Sequence, residues 1–447
     1  MPELERLAVV CHQYPPRALG GLAEYAERSL RELRRQRPDL ELTLYTMNHP
    51  GRHPGVSLHD GVTVVRPGIP GWLRRLVPAE GSGASVLGQA AFALALALFN
   101  LAVFLRLRRV RSRGLVVAIH DWQSTPVGIG TAWLLRSPVV YHVHNTEQTM
   151  TPRPDVADPL GVIGVCQRLM SRLAALVVVP TSEMKTLLVR HGWNPDRIRV
   201  VPHGHEDDPG SPSVAIGDRD RDRAAIRSAV LADVGFPADS WLLVFVGRLS
   251  PVKGIHTLLR ALPAIARRHP AVRLLVLGVG VAGTGQDEGV DRLVTELGVG
   301  GLTHVYHRYL PREQVRRHYQ AADLCVFPST YEPFGLVAVE AMALGVPVVL
   351  GPGFSASIAA DGDHRAAYQV REDTPEALSR LVVSLLDQPA ALRAVAKRGQ
   401  AHVLHTFTWS ASVHSTLATY QEAVNDRPGA GRRGALVPGN RAARHGG

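Results

Sequence analysis

The chain has 447 residues, of which 45% are hydrophobic and 20% charged, and a formal net charge of +11. These proportions exclude a disordered or fibrous chain and predict two or three domains with sizeable cores. Three widely spaced cysteines, Cys11, Cys166 and Cys325, form no CxxC or Cys/His pattern; they speak against a metal cluster and read as buried thiols of a reducing, cytoplasmic compartment.

The opening "MPELERLAVVCHQYPP" is too short and acidic for a secretory signal and reads as a first strand. A helix from about Gly21 to Arg35 follows, then the strands "LELTLYT" and "VTVVRP". Residues 86–105, "VLGQAAFALALALFNLAVFL", approach the ~20 apolar residues that span a bilayer. They contain Gln89 and Asn100 and run into "RLRRVRSR", so they read first as a buried or surface-docked helix, second as a weak peripheral membrane contact and last as a true span. "LVVAIHD", "VVYHVHN", "ALVVVPTS" and "IRVVPHG" are largely apolar without strict alternation, as in parallel strands buried on both faces. Residues 1–205 therefore form one domain, and 206–223, "EDDPGSPSVAIGDRDRDR", read as an exposed linker. A second α/β series fills 224–405, and 406–425 form a last helix expected to pack back on the first domain. The Gly-, Arg- and Pro-rich tail 426–447 is expected to be disordered. The fold class is α/β, with two doubly wound, Rossmann-like domains facing across a cleft.

In the second series, "YEPFGLVAVEAMALGVPVV" places Glu332 and Glu340 eight positions apart around Pro-Phe-Gly. Pro333 suits the first turn of a helix that Gly345 and Pro347 end. Glu332 then stands just before that helix, and the free N–H groups of Phe334, Gly335 and Leu336 offer a site for an anion or hydroxyl. Glu340 sits two turns in, amid apolar neighbours. Burying an unpaired carboxylate costs several kcal/mol, so Glu340 needs partners: the two hydroxyls of a ribose, or an Arg from a neighbouring helix. "FVGRLSPVKG" puts Arg248 and Lys253 on the turn after this domain's first strand, where two cations neutralise a diphosphate. Lys253 is one of only three lysines in the chain. Gly278-x-Gly280-x-x-Gly283 follows the next strand but lacks the immediate helix and later acid of a dinucleotide fingerprint. Its glycines are expected to let the backbone pass close to a nucleotide base, with the next helix starting near Gly289.

In this order, "GRLSPVKG", "GVG" and "YEPFGLVAVEAMALGVPVV" resemble the retaining glycosyltransferases of the GT-B fold, most of all family four and the glycogen and starch synthases, over roughly residues 7–424. The resemblance implies transfer of a sugar from a nucleotide-sugar donor, bound by the second domain, to a hydroxyl of a glycan or small molecule held by the first. It implies no metal ion or other cofactor, and no nucleic-acid partner is expected. Glu332 and Glu340 match the family's paired glutamates, with Glu332 facing the sugar. Gly20 and Gly21 supply a glycine loop whose amides can face a phosphate or the acceptor. "IHDWQST" and "YHVHNTEQ" are similar to the synthases' His-Asp-Trp and Val-His-Asn elements. Carried over by position, Asp121 holds the sugar or acceptor and His144 contacts the donor sugar, with His142 on the same strand face as its competitor. The chain departs from the pattern at "LGPGFSASIAADGDH", which has no acid before Asp361, and at "VVPHGHEDD", where His203 is expected to replace an Asn in a left-handed turn.

Glycosyl transfer requires stabilising charge on the departing diphosphate. Arg248, Lys253 and the helix start at 334–336 would do this electrostatically, in place of a divalent metal. Asp218-Arg-Asp220-Arg-Asp222 contains an Asp-x-Asp pattern, but it lies in a polar charge run with no strand before it and is not read as a metal site. Two other readings stay open: an NAD-dependent oxidoreductase, and a non-catalytic nucleotide-sugar-binding protein. The sequence identifies neither the nucleotide base nor the acceptor.

Overall fold

The structure is a computed structural model that describes residues 3–15, 21–48, 55–77, 86–110, 112, 114–145, 161–205, 216–278, 280, 286–362 and 364–426. The first sheet has eight strands: β1 (Arg6–Val10), β2 (Glu41–Tyr45), β3 (Val56–His59), β4 (Val62–Val65), β5 (Leu115–His120), β6 (Val139–His142), β7 (Leu176–Val179) and β8 (Ile198–Val200). They lie in the order β3-β4-β2-β1-β5-β6-β7-β8, all parallel except the β3–β4 hairpin. In β1, Leu7 and Val9 join the core on one face of the sheet while Ala8 and Val10 join the core on the other. Helices cover both faces, which is why the strand sequence does not alternate with polar residues. Each fully buried Val or Leu contributes roughly 1.5–3 kcal/mol.

Helices Gly21–Gln36 and Trp409–Asn425 cover one face. The other carries Gly71–Leu76, Val86–Leu107, Thr125–Gly130 running on as Thr131–Leu135, and Val162–Leu173. The long apolar segment is thus a docked helix: Ala91, Ala95, Phe99 and Val103 are buried in the core. Asn100 is satisfied there, donating to the carbonyls of Leu96 (2.9 Å) and Gln123 (3.0 Å) and accepting from the Val127 N–H (3.1 Å).

The second sheet contains β9 (Trp241–Val246), β10 (Val272–Leu277), β11 (Thr303–Tyr306), β12 (Leu324–Phe327), β13 (Val348–Leu350) and, after a small antiparallel pair β14 (Ala360–Asp361) and β15 (His364–Arg365), β16 (Tyr368–Gln369). Its order is β11-β10-β9-β12-β13-β16, all parallel. In such sheets ligands bind outside the carboxyl ends of the strands where the order reverses. Those points fall between β1 and β5 in the first sheet and between β9 and β12 in the second.

The stretch expected as linker is partly helical: helix Ile216–Asp233 begins well before residue 223 and carries the Asp218–Asp222 run, which is not at a strand end. Arg223 and Arg227 reach the carbonyls of Gln320 (3.0 Å) and Ala321 (2.8 Å), capping helix Arg312–Ala321. The segment is a docked helix, with Arg223 and Arg227 finding carbonyl partners. The chain then returns to the first domain. The His205 N–H donates to the Phe407 carbonyl (2.5 Å), and helix Trp409–Asn425 packs on Gly21–Gln36, with Arg199 paired to Glu422. The tail from residue 427 lies outside the described residues. Cys11 and Cys325 are buried free thiols, and burial pushes Cys11 up to about 12.

Candidate active site

The second-domain wall is built from two loops at the β9/β12 switch point. After β9, Gly247 and the exposed Arg248 lead into a single turn, Pro251–Lys253, and Gly254 opens helix Ile255–Arg268. The Thr330 N–H, after β12, donates to the Val252 carbonyl (3.0 Å) and ties the loops together. Lys253 Nζ consequently lies 2.6 Å from Glu332 Oε2, with side-chain exposures of 19% and 11%. The two residues singled out on separate motifs thus form one ion pair. The helix after Glu332 starts later than Pro333, at Leu336, with Gly335 as its N-cap at φ +104°. A Cβ at Gly335 would sit 2.4 Å from the Phe354 ring and 3.3 Å from Glu332 Cγ, so only glycine fits this turn. The Phe334 side chain is buried against the rings of His203 (4.9 Å) and Phe407 (5.5 Å).

Glu340 lies within helix Leu336–Ala343, its side chain 21% exposed. Arg312 approaches it at 3.9 Å and also bonds Glu24 of the first domain at 3.0 Å. Burial, then the charge of Glu24, pushes the Glu340 carboxyl up to about 7, against the opposing pull of Arg312. Arg312 is the arginine of a neighbouring helix that faces Glu340, at a distance too long for a hydrogen bond.

The glycines after β10 are required by the protein itself. A Cβ on Gly278 would lie 2.0 Å from the Gly247 carbonyl, and the Gly280 N–H donates to Asp287 (2.8 Å) on a helix that begins at Gln286, earlier than Gly289. Gly283 lies outside the described residues.

The first-domain wall is a face of rings. His144 Nε2 is 2.9 Å from His120 Nδ1, and His144 Nδ1 is 3.3 Å from His203 Nε2. Tyr25 packs 4.5 Å from both His144 and His203. Burial, with the neighbouring imidazoles second, lowers His120, His144 and His203, so all are neutral at pH 7. His142 is held elsewhere, by the Tyr420 hydroxyl at 2.9 Å, and burial lowers it to about 3. The Nδ1 atoms of His12, His142 and His203 are buried without a hydrogen-bond partner among the described residues. Asp121 Oδ1 accepts the N–H groups of His144 (2.8 Å) and Asn145 (3.2 Å), fixing the loop after β6. Its own φ of +55° is a strained conformation costing of order 1–3 kcal/mol. The structure thus ties one Asp121 oxygen to backbone, and both His144 ring nitrogens to other histidines, where the sequence suggested sugar contacts. His203 is not in a left-handed turn: among the described residues Asp60, Asp121 and Arg136 are the non-glycine positions with positive φ. Its ring instead joins the two walls, through Phe334. Gly21 opens the first helix, where a Cβ would stand 3.5 Å from Leu336 Cδ1 across the cleft, and the Thr181 hydroxyl donates to the Pro333 carbonyl (3.2 Å). Gly20 lies outside the described residues.

Among the described residues, His120, His142 and His144 have ring nitrogens within 4.8 Å of one another. Their rings are stacked nearly parallel, at 13–19°, so they do not converge on a point as metal ligands do. Sequence reasoning missed His120, Tyr25, Glu24 and Arg312 as members of the site. Only His120, beside Asp121 in "IHD", stood next to a residue already singled out.

Comparison with known proteins agrees with this arrangement. Residues 20–204 match the family model "Glycosyl transferase 4-like domain" and residues 227–402 match "Glycosyl transferases group 1". The chain is 34% identical over 341 residues to D-inositol 3-phosphate glycosyltransferase of Mycolicibacterium smegmatis, covering 71% of each chain. It is 32% identical over 398 residues to that of Mycobacteroides abscessus, covering 83% of this chain and 78% of the relative. In fold it is similar to sucrose-phosphate synthase from Thermosynechococcus elongatus (TM-score 0.71, 22% identity, 94% of this chain and 98% of that one) and to starch synthase IV from Arabidopsis thaliana bound to ADP and acarbose (TM-score 0.70, 12% identity, 95% and 100%). The chain belongs to the group 1 glycosyltransferases and has the GT-B fold. It is an enzyme of the transferase class.

Proposed function

We propose that this enzyme is a metal-independent retaining glycosyltransferase, of the family-four type, that moves a sugar from a nucleotide-sugar donor to an acceptor hydroxyl. The observation that carries the reading is the Lys253–Glu332 pair, at 2.6 Å, at the switch point of the second sheet and beside the Gly335-led helix start. Arg248 on the same turn and Lys253 would face the diphosphate, and Glu332 would hold Lys253 in place, so charge developing on the leaving group meets fixed cations. Glu340 would accept hydroxyls of the ribose, drawing the carboxylate away from Arg312. The ring face of His144, His120 and His203 would close over the donor sugar, and Asp121 would act by fixing the loop that carries His144. The first acceptor to test is D-inositol 3-phosphate, from the relatives' names.

The test is mass spectrometry of UDP-, GDP- and ADP-sugars incubated with D-inositol 3-phosphate and with glycan acceptors, followed by NMR of the product's anomeric configuration. Mass gain on an acceptor with configuration retained is expected. Inverted configuration would contradict retention, and tight binding of NAD with no transfer would favour the oxidoreductase reading.

A further inference from the structure

We propose that the outer face of the first domain's second helix layer docks on an anionic phospholipid membrane. Helices Gly71–Leu76, Val86–Leu107, Thr125–Leu135 and Val162–Leu173 pack side by side over one face of the sheet. Among the described residues, every exposed large hydrophobic side chain except Val56, Leu58 and Tyr309 lies on this layer or on the turn ending its longest helix. Trp72 and Trp133 are 60% and 69% exposed, and Leu87, Leu94 and Leu101, each seven residues after the last, form a stripe along the outer side of the long helix. That helix is long and apolar enough, over Leu87–Leu107, to cross a membrane. Its inner side, however, is locked to the sheet through Ala95, Phe99 and Val103. It therefore lies along a surface, with one face in the protein core and the other exposed at Leu87, Leu94, Leu101 and Leu105.

Charge selects the occupant. The four helices contain no Asp or Glu. Exposed arginines rim them instead: Arg74, Arg75, Arg108, Arg109, Arg136 and Arg168. The layer on the opposite face of the same sheet differs: helix Gly21–Gln36 carries the pairs Arg28–Glu24, Arg31–Glu27 and Arg35–Glu32, as water-facing helices do. Exposed tryptophan and leucine edged by arginine, with no acid, is the composition of a surface seated at the headgroup level of an anionic leaflet.

The experiment is co-sedimentation of the full-length protein with phosphatidylcholine vesicles, with and without phosphatidylglycerol, at low and high salt. Binding to the phosphatidylglycerol vesicles that weakens with salt is expected. The double substitution Arg108→Gln/Arg109→Gln should lower the partition coefficient roughly 25-fold, about fivefold for each basic charge removed near an anionic surface. Trp133→Gln should lower it at both salt concentrations. All three positions are exposed, and unchanged circular dichroism and melting would verify folding. Failure to pellet with phosphatidylglycerol vesicles, or pelleting that ignores both lipid charge and the arginine substitutions, overturns the proposal. Elution as a dimer without vesicle binding does the same and assigns the face to a second copy.

Discussion

The second-domain wall of the cleft draws its charged groups mainly from two short segments, 247–254 and 328–335, each following a strand and tied by one backbone hydrogen bond. The first-domain wall is gathered from distant places: Tyr25 on the first helix, His120 and His144 after neighbouring strands, His203 at the domain's end, and Trp409 from the returning helix. One wall is charged, and its pairs can exchange partners with a ligand. The other is a neutral, packed ring system whose polar atoms mostly satisfy one another. The difference teaches that the charged groups are concentrated in contiguous loops, while the ring face opposite them is a product of tertiary packing.

Substitution on the charged wall has the largest expected effect. Lys253→Ala and Arg248→Ala should each lower turnover on the order of 10²–10³-fold, with the double mutant less than additive because both act on one leaving group. Steady-state kinetics checks this, and full additivity would separate their roles. Glu340→Gln should weaken nucleotide binding by roughly 1.5–3 kcal/mol in calorimetry. Because burial holds the Glu340 carboxyl up near 7 rather than its ordinary 4.5, the wild-type affinity should rise with pH through about 7 as the carboxylate forms, and the Gln variant should be flat. Unchanged affinity with a sharp loss of melting temperature would make Glu340 a structural partner of Arg312 alone.

The ring wall should respond in stability. Tyr420→Phe leaves the buried His142 Nε2 unpaired and should cost about 1–3 kcal/mol in denaturant unfolding, with little change in nucleotide affinity. His142 and His12 are lowered by burial to about 3 and about 4 from an ordinary 6.5. The unfolded chain therefore takes up protons that the folded chain refuses, and these groups make stability fall as pH drops below 6.5 toward 3. The smallest effect is expected for Arg312→Ala. Its side chain is 43% exposed, so stability should change by only ~0.2–1 kcal/mol, but the midpoint of the Glu340 pH profile should move higher when the opposing charge is gone.

Legibility in the sequence follows the same division. The unalternating runs, the turn glycines and the Glu332–Glu340 spacing are local patterns, and they specify two doubly wound domains and the charged loops. The start of the helix after Glu332 was misplaced because Pro333 suits a first turn, whereas Gly335 and the crowding of Phe354 set the cap. Helix Ile216–Asp233 is hidden in a charge run, and two of its arginines, Arg223 and Arg227, find their carbonyl partners about a hundred residues away, at 320–322. His203 and Arg312 also reach across the cleft, to Phe334 and to Glu24, and no spacing in the chain expresses those contacts.

The central claim is that fixed protein charges, without a metal ion, stabilise the departing diphosphate. Transfer from the accepted nucleotide sugar, measured in excess EDTA, should proceed at the rate seen without chelator. Complete loss of transfer in EDTA, restored by Mg²⁺ or Mn²⁺, would contradict it.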